Sequence, residues 1–162
     1  MKLFGKNVAE YVSFAKPVLT VIFIVWALRF GLSLAGFPNS TTKWSSTTVV
    51  ALLGMVYFAV RVHTQGFGSY KQLFGLLLTQ NVFANALVIV GILWAMVGGH
   101  DNVFSAQEYS GGMGANWLHA GLHVLIGMLG FSLVMWAVGS LILLVTKSLA
   151  SHKGGAATAP TA

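Results

Sequence analysis

The sequence contains no cysteine and only three acidic residues, Glu10, Asp101 and Glu108, among its 162 positions. Without cysteine there are no disulfides, thiolate metal sites, iron–sulfur clusters or cysteine nucleophiles. Charge of either sign is scarce, 7% of the chain, against 56% hydrophobic residues and a mean hydropathy of +0.79. Nine basic and three acidic side chains cannot clothe a water-soluble particle of 17.2 kDa. Despite the net charge of +6, this excludes most soluble enzymes and any nucleic-acid-binding module, and it makes the lipid bilayer the main solvent.

What the chain has instead is long apolar runs. About 20 apolar residues in a helix cross roughly 30 Å of hydrocarbon, and four stretches qualify: about 17–36, 46–63, 73–99 and 117–146. Pro17 suits a first helical turn, while Gly36, Pro38 and Asn39 close the first span. The last two spans exceed the hydrocarbon thickness, so they tilt or project beyond it. The expected fold is all-α: an integral membrane four-helix transmembrane bundle forming one domain, 1–149, with an Ala/Gly/Thr/Pro-rich flexible tail, 150–162. Ahead of Pro17, Lys2, Lys6 and Glu10 recur every four residues opposite Phe4, Val8, Tyr11 and Val12, the pattern of a short interfacial helix. Ser33-Leu34-Ala35 has the small-x-small form of a signal-peptidase site, but Arg29 interrupts the apolar core before it, and the span is read as retained.

Lys and Arg set the direction of insertion. Lys2, Lys6, Lys16, Arg61, Lys71, Lys147 and Lys153 fall on one side and Lys43 alone on the other. Both termini are therefore expected in the cytoplasm, in a membrane of the bacterial inner (plasma) type, with the loops after spans one and three facing outward. Trp44, Trp94 and Trp117 suit an outer aromatic belt, and Tyr11, Phe67, Tyr70 and Phe74 an inner one.

Lipid tails are as apolar as leucine, so helices in a bilayer associate through small residues and hydrogen bonds. Ala27, Gly31 and Ala35 form one four-residue stripe, and Gly91, Ala95 and Gly99 another. They predict that spans one and three pack closely through Gly31 and Gly91, with Arg29 turned away from span three. Thr79, Gln80, Asn81 and Asn85 place amides in the middle of span three, suited to interhelical bonding or to a polar path through the membrane.

Chemistry-capable residues gather on the outward side: His100 and Asp101 after span three, Glu108 in the loop, and His119 and His123 at the start of span four. A four-residue spacing puts both imidazoles on one helix face, where they could offer two nitrogens to a divalent metal, with His100, Asp101 or Glu108 as third ligand. Arg29, inside a span, could snorkel to the interface or hold an anionic group: a lipid phosphate, a cofactor propionate or a quinone oxygen. A heme with two histidine ligands needs them on opposite porphyrin faces, which one helix side does not give; one of the pair would need His100, a methionine such as Met96, or a second protomer. A chlorophyll-type pigment needs only one axial histidine.

Two functional classes follow. The first is a non-enzymatic subunit or accessory component of a larger membrane complex, or a homo-oligomer. The second is a membrane redox, pigment or metal-binding protein with a cofactor site on His119, His123, His100 and Arg29. A solute or ion pore along Asn81 and Asn85 is a third reading.

Overall fold

The computed structural model describes residues 2–42 and 45–156, with the backbone alone from 152 onward. Lys43, Trp44, the side chains of His152 and Lys153, and residues 157–162 of the expected tail lie outside the described residues. Within them, four helical runs are long and apolar enough to cross a membrane.

The chain opens with a two-stranded hairpin, β1 (Lys2–Leu3) and β2 (Lys6–Asn7), paired antiparallel with Lys2 opposite Asn7. Its turn places Phe4 and Gly5 at positive φ, 50° and 85°, the backbone sense that matches strand twist in a tight hairpin. Helix α1 (Val8–Leu34) then starts where Asn7 accepts the Glu10 N–H and the Glu10 carboxylate accepts the Asn7 N–H, each at 2.8 Å. This reciprocal pair satisfies two otherwise orphaned donors. The segment before Pro17 thus comprises a hairpin and the first turns of α1. Pro17 lies inside α1, which runs through it unbroken, rather than at a first turn.

After the short helix α2 (Asn39–Thr42), Ser46 caps α3 (Thr47–Thr64) by accepting the Val49 N–H. Helix α4 (Tyr70–Gly98) ends at Gly99 in the left-handed conformation, φ 67°, a frequent helix stop. Asn116 caps α5 (Trp117–Leu122). A π-helical segment, His123–Gly130, follows and leads into α6 (Phe131–Ala156), so the helix continues beyond residue 150, where a flexible tail is expected from composition.

Helix α4 packs against α1, α3 and α6. At one end the hairpin, the start of α4 and the end of α6 meet: Gln72 donates to the Phe4 carbonyl and Lys147 to Ser69 Oγ. At the other end the 99–116 loop folds back on α1 and α2, where Val103 N–H donates to Ser33 Oγ and Asn39 to Glu108. Both ends of the described chain therefore lie on one side of the bundle.

Buried glycines act as notches for large neighbours. A Cβ on Gly75 would lie 2.5 Å from the Tyr11 ring, which is buried between α1 and α4 rather than set in an interfacial belt. Gly91 likewise accommodates Phe104 from the loop, with 2.6 Å left for a Cβ. Gly31, by contrast, is exposed and has nothing within 4 Å of a Cβ. Helices α1 and α4 do pack together, but not through the paired stripes. The larger residues of α1, Ile22, Trp26 and Phe30, pack into the bundle, while Gly31 and Ala35 of the stripe are exposed.

Candidate functional site at the loop end of the bundle

Asparagine side chains in α4 organise the bundle interior beneath the site. Asn81 donates to Ser132 Oγ at 2.9 Å, and Asn85 donates to the Asn81 carbonyl one turn back. That second bond fixes the orientation of the Asn85 amide and leaves its Oδ1 facing His123, 2.8 Å from Nδ1. The room for it comes from Gly127 in the π-helical segment, where any Cβ would collide with the Asn85 oxygen.

Because the Asn85 oxygen only accepts, His123 carries its proton on Nδ1 when neutral. His119 is fixed the same way: its Nδ1 lies 2.8 Å from the carbonyl of Gly114. Gly114 has φ +64°, a conformation that costs residues with a Cβ but not glycine. The two rings stand 5.1 Å apart, centroid to centroid. Both imidazoles therefore keep Nε2 as the uncommitted lone pair, the arrangement by which hydrogen bonds behind a histidine orient it towards a ligand.

Arg29 faces them across a cavity of about 360 Å³ whose walls include Thr47 and Thr48 of α3, Val88 of α4, and Phe104 and Tyr109 of the loop. The cavity wall from α4 corrects the expectation that Arg29 turns away from span three; it shares the inward face of α1 with Trp26 and Ser33. Roughly 32 Å along the axis from Val8, Arg29 lies at the loop end. Its guanidinium carbon sits 5.5 Å from the ring centres of both Phe104 and Tyr109. Tyr109 is anchored in turn by donating to the Asn39 carbonyl at 3.0 Å.

No acidic residue neutralises this guanidinium. Glu10 pairs with Lys6 at the opposite end, Asp101 accepts from Ser105 Oγ, and Glu108 accepts from Asn39. The Arg29 Nε is buried without a hydrogen-bond partner. A cation so placed, ringed by π faces and without a carboxylate, is an acceptor-seeking group in a low-dielectric setting.

The structure thus brings together three of the residues singled out from sequence, Arg29, His119 and His123. It does not bring His100, Asp101 or Glu108 to them: His100 and Asp101 are exposed past the end of α4, and Glu108 is engaged with α2. Among the described residues no three His, Asp or Glu side chains gather as a metal site. Sequence reasoning missed Phe104, Tyr109 and Thr47. The loop residues carry no periodic signal, and only the glycines at 111, 112 and 114, all at positive φ, hint that this loop is a built structure. In comparisons with known proteins, no family model, curated protein or solved structure matches the chain.

Proposed function

We propose that the chain is an integral membrane protein that binds a small ligand at the loop end of its bundle, with Arg29, His119 and His123 as the polar contacts. The observation that carries this reading is the Arg29 guanidinium, its Nε buried without a partner and no carboxylate beside it, sharing a cavity with two histidines whose Nε2 lone pairs are free. The ligand presents acceptor oxygens to Arg29 and donor hydrogens to the imidazoles. A bare divalent cation fits poorly, since Arg29 would repel it and no carboxylate lies at hand. A heme or other cofactor propionate and a lipid phosphate would neutralise the arginine, whereas a quinone-type head would only accept its N–H bonds; a chlorophyll-type pigment would use only one histidine.

Both termini are proposed to lie in the cytoplasm of a cell with an inner membrane, because Lys2, Lys6, Lys16, Arg61, Lys71 and Lys147 belong to that end. The site then faces outward. A purely structural subunit or a homo-oligomer gains no observation of its own, since lipid covers the exposed apolar faces equally well. The pore reading is weakened by the bonds that Asn81 and Asn85 make to Ser132 and His123.

The test uses protein purified gently and then stripped of bound small molecules. Arg29→Met should abolish ligand retention, judged by absorbance and by mass spectrometry of the extract, while the stripped protein still folds and elutes as the wild type does. A variant that retains the same bound molecules as the wild type overturns the proposal.

A further inference from the structure

The cavity on Arg29 does not end at the histidines. It shares His119, His123, Tyr109 and Thr48 with a second hollow of about 390 Å³ whose additional walls include Met113, Leu122, Ile126 and Phe131. This second hollow is apolar and runs along the π-helical segment. The segment packs on α4, α5 and α6, while α3 packs on α1, α4 and α6. Between Thr48 of α3 and Ile126 of the segment, the bundle thus has a groove open at its flank. A polar, cationic head space joined to an apolar lateral groove is the shape of an amphiphile.

Charge and depth narrow the choice. The head space holds one full positive charge that none of the three acids of the chain neutralises. Phe30, next to Arg29 in the chain, packs edge-on against the exposed Trp94, and the exposed Trp117 opens α5 two residues before His119; tryptophan favours the headgroup layer of a bilayer. Phosphates occupy that layer. A neutral hydrogen-bonding head would leave the guanidinium uncompensated, whereas a phosphate diester neutralises it with paired N–H···O bonds. The two imidazoles, each presenting an Nε2 lone pair, call in addition for hydroxyl donors on the same head.

Resting on the proposed ligand site, we infer that its occupant is an anionic phospholipid with a hydroxyl-bearing head, of the phosphatidylglycerol class. Its phosphate meets Arg29, its glycerol hydroxyls donate to His119 and His123, and one acyl chain lies in the groove past Leu122 and Ile126.

Full-length protein, delipidated in a neutral detergent, tests this by native mass spectrometry against phosphatidylglycerol, phosphatidylcholine and glycerol phosphate. Phosphatidylglycerol should bind at least about tenfold tighter than phosphatidylcholine, a difference of about 1.4 kcal/mol. Arg29→Gln should erase that preference and Arg29→Lys keep part of it. Ile126→Trp, which fills the groove from a lipid-facing position and leaves the bundle core untouched, should weaken lipid binding but not that of glycerol phosphate. Equal binding of the two lipids, or a preference that survives Arg29→Gln, overturns the inference. Glycerol phosphate binding as tightly as the lipid overturns the groove while leaving the anion site. If a coloured cofactor or quinone is retained through Arg29 instead, the lipid assignment falls and the ligand-site reading stands. If nothing depends on Arg29, both fall.

Discussion

Gly31 and Gly91 are indistinguishable by sequence, each the centre of a small-residue stripe, yet they occupy opposite environments. Gly91 is buried against the Phe104 ring, and Gly31 is open on the outer face of α1. Overpacking a filled contact costs typically 1–3 kcal/mol, so Gly91→Leu should lower the melting temperature in detergent by several degrees. Gly31→Leu should leave it within about a degree, since Leu there meets only lipid or detergent. A Gly31→Leu protein that unfolds as early as Gly91→Leu would show that the stripe on α1 is a contact after all. The sequence pattern could not decide between them for a physical reason. In a bilayer, large apolar residues are at home on either face of a helix, so α1 carries no apolar-to-polar contrast to say which way it points. Arg29 was legible as a candidate because a charge inside a span is costly wherever it faces. Its neighbours Phe104 and Tyr109 were not, because ordinary aromatic residues in a loop carry no signature until the loop is seen folded back onto the bundle.

At the scale of elements, α4 holds the bundle together through two amides of different quality. Asn81 bridges to Ser132 of α6 with its neighbours satisfied. Gln80 donates to the Ala51 carbonyl of α3 at 3.1 Å, but its own oxygen is buried without a partner. An interhelical hydrogen bond in a membrane contributes about 0.6 kcal/mol on average and up to about 1.7. Asn81→Leu should therefore destabilise by about 1 kcal/mol, because the bridge between α4 and α6 is lost, although the Ser132 hydroxyl still donates to the Met128 carbonyl. Gln80→Leu removes an unsatisfied oxygen along with the bond and should be close to neutral. Urea or dodecyl-sulfate unfolding curves compare the two; a larger loss for Gln80→Leu would mean that the α3–α4 bridge dominates. The existence of the four spans and the end of the third near Gly99 could be read from the sequence. The hairpin at residues 2–7 could not, since Asn7 and Glu10 form a capping box that competes with the four-residue charge pattern and shares its residues. Nor does anything in His123–Gly130 announce a π-helical turn, although Gly127 within it is what admits the Asn85 oxygen.

For the whole molecule, an even number of spans puts both termini at one end, and the hydrogen bonds of Gln72 to the Phe4 carbonyl and Lys147 to Ser69 place the hairpin and α6 together there. Which side of the membrane this end occupies rests on the distribution of Lys and Arg alone. The absence of cysteine makes a direct experiment available, because a single introduced thiol is the only reactive one in the chain. Gln107, exposed in the 99–116 loop, and Ser151, exposed near the end of α6, mark the two sides. In intact cells, Gln107→Cys should react with a membrane-impermeant maleimide and Ser151→Cys should react only after the membrane is opened. The reverse pattern would place the ligand cavity on the cytoplasmic face. The lipid inferred for Arg29 would then have to come from the cytoplasmic leaflet, and the proposed outward orientation of the site would have to be abandoned. Labelling of both positions from outside would instead contradict the even number of spans on which the placement of the termini depends.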